Sequence, residues 1–371
     1  MRSRRTGLVF GAVAALALAA TLVVVLLNQG SSPQGPGTGA VTPTPTAFRP
    51  IPSGSLKPEI SGLLDRAQIP PQALWTVVPG FVVGARWSDL QLTPGGPITP
   101  NNAIDQALSE VRAANTSTPG LQMALKLRIY TGVYSPDWAK QLGGPPVDVY
   151  AKKGNVSGTV GYFWSNEFGL AYQDLMTKLA QKYDGVPEIR DVTMSRCMTV
   201  FAEPFIRDVS DPQTVLNLLA AGFTSAQDMT CETSQIDESR AWKRTHLSLS
   251  FNPYQEISSA GTARNDETFT EQVMQRCRAT LGPQCVLENN SIRSPNLPQY
   301  QAMYDAMQQL GPPIAFQTAV AHKINSTLAK TIEWAISVGA SSVELPAGYQ
   351  SLLSPDQLAS YTQQLRSNRQ S

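Results

Sequence analysis

The sequence, 371 residues long, predicts an α/β fold in which a single (β/α)8 TIM-type barrel follows a transmembrane helix and a flexible linker. Three observations lead to this prediction. An uncharged apolar run lies close to the N-terminus, and a stretch rich in proline and glycine follows it. The rest of the chain alternates short apolar strands with amphipathic helices, which is the pattern of an α/β fold.

The apolar run extends from residue 6 to residue 27, and Arg2, Arg4 and Arg5 precede it. At about 1.5 Å per helical residue the run reaches roughly 33 Å, which is enough to cross a hydrocarbon core of about 30 Å. The basic flank of a membrane span usually lies in the cytoplasm. We therefore expect the N-terminal flank to be cytoplasmic and everything after residue 28 to lie outside the cytoplasm. Residues 1–28 are therefore predicted to be a membrane anchor, with a cleaved signal peptide and a secreted protein as the alternative.

Residues 29–55 consist mainly of glycine, proline, serine and threonine, and Arg49 is their only charged residue. Such a segment cannot bury a core, so it is predicted to be an extended linker. The remaining residues, 56–371, show no internal repeat and no second low-complexity stretch. They are therefore predicted to form one domain.

The overall composition narrows the range of ligands. With 29 basic and 28 acidic side chains the formal charge is +1, so the chain lacks the bulk positive charge that binds nucleic acid. Its two histidines, His246 and His322, are far apart in sequence and are expected to be structural. No glycine-rich phosphate-binding motif occurs, and we predict neither a metal nor a cofactor.

Strands and helices alternate between residues 70 and 366. Strands are predicted at residues 81–86, 123–130, 192–197, 246–251, 285–288, 314–318 and 342–345. Helices are predicted at residues 103–113, 167–183, 212–221, 269–281, 298–310, 326–338 and 355–366. An eighth strand is expected near residues 73–78 or 147–150, and eight strands favour a closed barrel over an open sheet.

The four cysteines make an even number, as is usual for an exported domain, and no Cys-x-x-Cys pair indicates zinc. Cys277 and Cys285 flank a short helix-to-strand turn that a disulfide could close, which leaves Cys197 to pair with Cys231. This is one of three possible connectivities, and loop length alone favours it.

Polar and aromatic side chains follow nearly every predicted strand. The carboxyl ends of barrel strands converge on one mouth, so these side chains are expected to share a site. Amides and carboxylates bind sugar hydroxyls, and flat aromatic faces cover the apolar side of a sugar ring. The residues expected to line a sugar site are Trp87, Asp89, Arg128, Trp138, Asn252 and Gln317, and the candidate catalytic carboxylates are Glu203, Glu288 and Glu344.

Three segments carry a family resemblance: GARWSDLQLTPGG, LKLRIYTGVYSPDW, and FWSNEFGLAYQDLMTKLAQKYDGVPEIRDVTM leading to AEPF. They resemble the first half of a (β/α)8 retaining glycoside hydrolase, of the large clan that includes β-galactosidases and cellulases. The resemblance implies a glutamate acid/base at the end of the fourth strand, which Glu203 matches, although Ala202 replaces the usual asparagine before it. It also implies a glutamate nucleophile on the seventh strand, where this sequence has Gln317.

The glutamine at position 317 leaves the second catalytic group open. Retaining hydrolysis needs two carboxyl groups about 5 to 5.5 Å apart, and inversion tolerates about 6.5 to 9.5 Å. Glu288 or Glu344, on the strands to either side, is expected to supply the second carboxylate. Glu344 could instead pair with Arg86 or Arg128 across the barrel floor. We therefore expect an extracytoplasmic glycoside hydrolase acting on a glycan, with a non-catalytic carbohydrate-binding barrel tethered at the cell envelope as the alternative.

Overall fold

The computed structural model describes residues 56–151, 155–201, 203 and 212–369. The predicted membrane anchor and linker, residues 1–28 and 29–55, lie outside these residues, so both stay predictions. None of the helices in the described part of the chain is long and apolar enough to cross a membrane.

Eight parallel strands form a closed barrel, as predicted. They are β1 (Gly62–Asp65), β2 (Gly80–Arg86), β3 (Ala124–Tyr130), β4 (Ile189–Thr193), β5 (His246–Ser250), β6 (Cys285–Ile292), β7 (Ile314–Thr318) and β8 (Ser342–Leu345). Each strand pairs with the strands before and after it in the sequence. The barrel closes between β8 and β1, with Gly62 opposite Ser342 and Asp65 opposite Leu345.

The described residues also form helices that cover the barrel. They are α1 (Trp87–Leu90), α2 (Ala103–Ser117), α3 (Asp137–Lys140), α4 (Asn166–Tyr183), α5 (Pro212–Ala220), α6 (Ser225–Glu238), α7 (Glu267–Leu281), α8 (Gln301–Leu310), α9 (Ala321–Ile324), α10 (Leu328–Ser337) and α11 (Pro355–Ser367). Capping residues start several of them. Ser354 and Gln357 form a reciprocal capping box at the start of α11, which satisfies backbone N–H groups that have no partner within the helix.

The eighth strand is β1, which the sequence prediction misplaced. Residues 73–78 instead cover the end of a short 3-10 helix, Gln72–Leu74, and the turn after it. Residues 147–150 are extended, but Val147–Ala151 pairs antiparallel with Asn155–Val160 in a hairpin outside the barrel. A four-residue strand whose residues are all buried shows no alternation by which it could be recognised.

The seven predicted helices are all present, within a few residues of their predicted bounds. Helix α6 was not predicted. Its sequence, SAQDMTCETSQIDE, lacks a clear apolar stripe, because buried acidic residues occupy part of its inner face.

Charged side chains occupy the lumen of the barrel. Successive residues of a strand point to opposite sides, so Leu127 and Ile129 of β3 pack beneath the helices while Lys126 and Arg128 face inward. The acidic side chains that meet these two cations are Asp191 on β4, Glu288 on β6 and Glu344 on β8.

Both predicted disulfides are confirmed. Cys197 pairs with Cys231 at a Cα–Cα distance of 6.0 Å, and Cys277 pairs with Cys285 at 5.9 Å. The first bridge joins the loop after β4 to helix α6, and the second joins the end of α7 to the start of β6.

Helix α6 carries two acidic side chains that are almost fully buried. Asp228 and Glu232 lie one helical turn apart on its inner face. Burial raises the pKa of Asp228 to about 7, and the hydroxyl of Tyr254 opposes this shift in part. Burial, together with the charge of Asp228, raises the pKa of Glu232 well above its ordinary value. Ionising these acids inside the fold therefore costs free energy.

We expect the barrel to be more stable at pH 5 than at pH 8. An acid whose pKa is raised by folding contributes most to the free energy of unfolding at pH values below its unfolded pKa, which is near 4. This contribution is lost as the pH rises through the folded pKa, which is about 7 for Asp228. Asp228→Asn removes the titrating group, so its thermal unfolding midpoint should exceed that of the native chain at pH 8, and by clearly less at pH 5. Asp305→Asn, at an exposed position of α8, is the control. A midpoint that Asp228→Asn lowers equally at both pH values would contradict this account.

Candidate functional site

A cavity of about 430 Å³, here called the mouth cavity, opens where the carboxyl ends of the strands converge. Three predicted site residues, Arg128, Glu203 and Gln317, line it together. The other side chains used below that line it are Arg66, Tyr130, Phe201, Asn290, Arg293 and Lys323.

Glu203 is the only carboxylate that the described residues contribute to the mouth cavity. Asn252, in the loop after β5, donates a hydrogen bond from Nδ2 to Oε2 of Glu203 over 2.5 Å. Oδ1 of Asn252 accepts from Nδ2 of Asn289 over 2.6 Å and from the backbone N–H of Asn290 over 3.1 Å. The hydroxyl of Tyr304 donates to Oδ1 of Asn289 over 3.1 Å. This series of hydrogen bonds fixes the amide of Asn252, which in turn orients the carboxylate of Glu203. Asn252, predicted to contact sugar, thus lies behind Glu203 as a positioning residue.

The loop after β4 is held in place before it reaches Glu203. Gly132 has a φ of 54°, and a Cβ there would lie 2.0 Å from the carbonyl oxygen of Thr199, so the position requires glycine. The N–H of Val133 donates to that same oxygen over 2.9 Å. Because β4 ends at Thr193, Glu203 lies in this loop and not at the strand end that the resemblance implies.

Gln317 lies at the position that the resemblance assigns to the nucleophile. It is the next-to-last residue of β7, its side chain lines the mouth cavity, and Glu344 is its partner in register on β8. An amide cannot form the covalent glycosyl intermediate of retaining hydrolysis. This position therefore supplies a polar wall of the cavity and no nucleophile.

Glu288 and Glu344 do not line the mouth cavity, and both are bound to cations. Nζ of Lys126 lies 2.7 Å from Oε2 of Glu288 and 3.1 Å from Oε1 of Glu344. The guanidinium of Arg128 donates to both carboxyl oxygens of Glu344, over 2.7 and 2.9 Å, and lies 3.3 Å from Glu288. These four residues, with Asp191 at 3.8 Å from Lys126, are here called the lumen network.

The charges of the lumen network set the protonation of its acids. Burial alone would raise the pKa of Glu344, but the charges of Arg128 and Lys126 outweigh it and lower this pKa to about 2. Burial raises the pKa of Glu288, and the charge of Lys126 opposes the shift in part. Glu344 is thus ionised and held by two cations. The geometry does not support the prediction that Glu288 or Glu344 is the second catalytic carboxylate, and it matches the alternative in which Glu344 pairs with Arg128.

Trp87, Trp138 and Asp89 also lie away from the mouth cavity. Trp87 is fully buried, with ring centroids 5.6 Å from Trp138 and 5.4 Å from Phe168. Asp89 is exposed on α1. These three residues do not share the cavity that holds Glu203, and their contact with a sugar stays a prediction. The two indole rings pack on one another beside α4, where burial of a large ring is favourable.

Several residues of the mouth cavity were missed in the sequence. Tyr130 is the last residue of β3, so the strand-end argument would have included it. Arg66 directly follows β1, which was not recognised, and Arg293 follows β6, which extends to Ile292 and not to residue 288 as predicted. Lys323 belongs to the short helix α9, and no sequence signal points to it.

No protein-family model matches the sequence, and no curated protein sequence matches it. Several solved structures match in fold. XacCel5A is 11% identical, with 84% of this chain and 99% of that chain covered and a TM-score of 0.45. Endo-glycoceramidase II from Rhodococcus sp. is 13% identical, with 81% and 78% covered and a TM-score of 0.46. The family 1 β-glucosidase from Thermotoga maritima is 9% identical, with 81% and 86% covered and a TM-score of 0.45.

We expect Glu344→Gln to destabilise the barrel strongly. The substitution leaves Arg128 and Lys126 in the lumen with less compensating charge, and breaking a buried ion pair costs about 3 to 5 kcal/mol. The free energy of unfolding in urea measures this loss. Glu110→Gln makes the same chemical change at an exposed position of α2 and should alter stability by less than about 0.5 kcal/mol. Equal unfolding free energies for the two variants would refute the role of the lumen network.

Proposed function

We propose that this chain is a glycosidase-like barrel that binds a carbohydrate in the mouth cavity and protonates a glycosidic oxygen through Glu203. The observation that carries the proposal is the placement of Glu203, which is oriented by Asn252 and opens on a cavity of about 430 Å³. Tyr130 and Phe201 line the same cavity, and aromatic rings are groups that cover the apolar face of a sugar. Gln317 adds an amide that suits sugar hydroxyls.

The proposed chemistry uses one carboxyl group of the protein. Glu203 gives its proton to the leaving oxygen as the glycosidic bond breaks, and the proton released by an attacking water restores it. Attack on the sugar carbon falls to this water or to a substituent of the substrate. The reason is that Gln317 cannot form a glycosyl ester, while Glu288 and Glu344 are bound by Lys126 and Arg128.

We further propose that the carbohydrate is acidic. Arg66, Arg293 and Lys323 line the mouth cavity, and none of them forms an ion pair with another described residue. One carboxylate, that of Glu203, faces these three cations among the described lining residues. Cations that face an open cavity favour a ligand with carboxylate, sulfate or phosphate groups.

The location outside the cytoplasm, with residues 1–28 as the membrane anchor, is also a proposal. The arginines that precede the apolar run support this orientation. The two disulfides of the barrel suit an oxidising compartment and give independent support.

Binding without turnover is the second candidate function. It is favoured by the amide of Gln317 at the position that the resemblance gives to the nucleophile, and by the ion pairs of Glu288 and Glu344. Glu203 would then accept hydrogen bonds from a bound sugar and transfer no proton. The two candidates share a ligand and differ in whether Glu203 takes part in a reaction.

Glu203→Gln should lower turnover most for substrates whose leaving group needs a proton. With alkyl glycosides, we expect kcat/KM to fall about 10²- to 10⁴-fold, which is the usual contribution of a positioned general acid. With dinitrophenyl glycosides, whose leaving group departs as an anion, the loss should be at least about tenfold smaller. Initial rates on a panel of acidic and neutral glycosides measure both values.

The matched control for this experiment is Glu110→Gln, which should leave both rates unchanged because its carboxylate is exposed on α2. Equal losses on the two kinds of glycoside would contradict the role of Glu203 as an acid. If the native chain binds an oligosaccharide and hydrolyses none of the panel, the second candidate function is supported instead.

Lys323→Gln and Arg293→Gln should each weaken binding of a uronic-acid oligosaccharide about tenfold. Each substitution removes a charge-assisted hydrogen bond to the ligand, and binding of the matching neutral oligosaccharide should stay unchanged. Isothermal titration calorimetry measures both affinities. Lys330→Gln, at an exposed position of α10, is the matched control. A native chain that prefers the neutral oligosaccharide would show the proposed ligand class to be wrong.

A further inference from the structure

A second cavity, here called the basal cavity, lies at the opposite end of the barrel, where the strands begin. It has a volume of about 310 Å³, and three arginines line it: Arg190, Arg366 and Arg369. Arg190 is the second residue of β4, and Arg366 lies in the last turn of α11. The base of the barrel therefore brings together three cations from two distant parts of the chain.

The three guanidinium groups of the basal cavity lack carboxylate partners. Within the part of the chain that the structure describes, none of them forms an ion pair. Arg190 donates from Nε to the carbonyl oxygen of Pro187 over 3.4 Å, which is a weak contact. Burial lowers the pKa of Arg190, and the charge of Arg369 lowers it further, so these two cations act on one another. Like charges at close range are unfavourable unless an anion lies between them.

Two acidic groups near the basal cavity are engaged by other residues. Glu188 pairs with Arg112 over 3.1 Å. Glu59 accepts a hydrogen bond from the hydroxyl of Ser341, and burial raises its pKa to about 7 in spite of this bond and the charge of Arg369. Neither carboxylate lines the basal cavity, which leaves its three cations available to a ligand.

The groups around the basal cavity match the chemistry of a phosphate group. Guanidinium groups present paired N–H donors to phosphate oxygens, and the hydroxyl of Ser61 and the amide of Gln122 add further donors. The rest of the lining is apolar and consists of Ile60, Pro79 and Ala124. The cavity therefore suits a ligand that joins a phosphate to an apolar part.

The chain enters the barrel at this same end. Leu56, Lys57 and Pro58 line an adjoining cavity of about 430 Å³, which shares Gln122 and Arg190 with the basal cavity. The predicted linker and membrane anchor precede this entry in the sequence, so the base is the end of the barrel that the linker joins. A membrane lipid is accordingly the favoured source of the phosphate.

We propose that the basal cavity is a binding site for the phosphate group of an anionic membrane lipid. The proposal does not depend on the carbohydrate function, because the two cavities lie at opposite ends of the barrel. A barrel held in this way rests with its base against the membrane, and its mouth cavity points away from it.

The test uses the chain from Phe48 onward, without the predicted anchor. This part folds by itself, because the barrel closes on its own strands around its own core. We expect it to sediment with vesicles that contain phosphatidylglycerol and not with vesicles of phosphatidylcholine alone. Each basic residue near an anionic membrane contributes roughly fivefold in affinity, so the triple variant should bind roughly 100-fold more weakly. Its substitutions are Arg190→Gln, Arg366→Gln and Arg369→Gln.

A second triple variant is the control for net charge. Lys178→Gln, Lys182→Gln and Arg264→Gln remove three cations that lie outside the basal cavity, and vesicle binding should be kept. Equal losses in the two triple variants would overturn the proposal, since they would show attraction by overall charge. The single substitution Arg369→Gln, close to the end of the chain, should weaken vesicle binding roughly fivefold. This variant replaces the first triple variant in the test if that variant does not fold.

Calorimetric titration with inorganic phosphate distinguishes the two sources of the ligand. We expect weak binding of inorganic phosphate that the substitutions at the basal cavity abolish, together with vesicle binding. Binding of inorganic phosphate without binding of anionic vesicles would overturn the assignment to a lipid. Binding to phosphatidylcholine vesicles as strong as to anionic vesicles would overturn it as well.

Discussion

The pairing of charges inside the barrel is the constraint on which the rest of the structure depends. Lys126 and Arg128 sit in the lumen at no more than 5% side-chain exposure, where an unpaired charge costs several kcal/mol. Glu288 and Glu344 reach across from β6 and β8 to meet them at 2.7 to 3.3 Å. The paired charges therefore join β3 to the far wall of the barrel, and the strands cannot change register without separating them.

The same pairing decides which groups remain for chemistry at the mouth. A carboxylate held by a guanidinium and an ammonium stays ionised, so Glu344 can neither give a proton nor leave its partners without a large cost. Glu203 lines the mouth cavity instead, and the amide of Asn252 donates a hydrogen bond to its Oε2 over 2.5 Å. This hydrogen bond fixes the direction of the carboxylate, which general acid catalysis requires.

Most of the fold could be predicted from the sequence, and the site could be predicted only in part. Strands and helices follow from local periodicity, which is why β1, with four buried residues, and the polar helix α6 were missed. The short helices α1, α3 and α9 were missed as well, because four residues are too few to show a helical period. Arg128, Glu203 and Gln317 could be placed at the mouth because they lie on or after the carboxyl ends of predicted strands. The pairing of Glu344 with Arg128 could be raised from the sequence only as an alternative, because such contacts depend on which side chains face inward at the same height. The sequence could not show that Trp87 is covered by α4, since packing between helices leaves no signal at one position.

The position of charges, more than their number, determines what this barrel can bind. A balance of 29 basic and 28 acidic side chains argues against a long polyanion, which needs a continuous basic surface. It does not argue against a small anion, because each end of the barrel has a cavity with three cations that form no ion pair among the described residues. They are Arg66, Arg293 and Lys323 at the mouth, and Arg190, Arg366 and Arg369 at the base. Buried acids in the lumen and on α6 contribute to the total charge and yet cannot reach those cavities. The nearly neutral composition is therefore compatible with an acidic carbohydrate at the mouth and a phosphate group at the base.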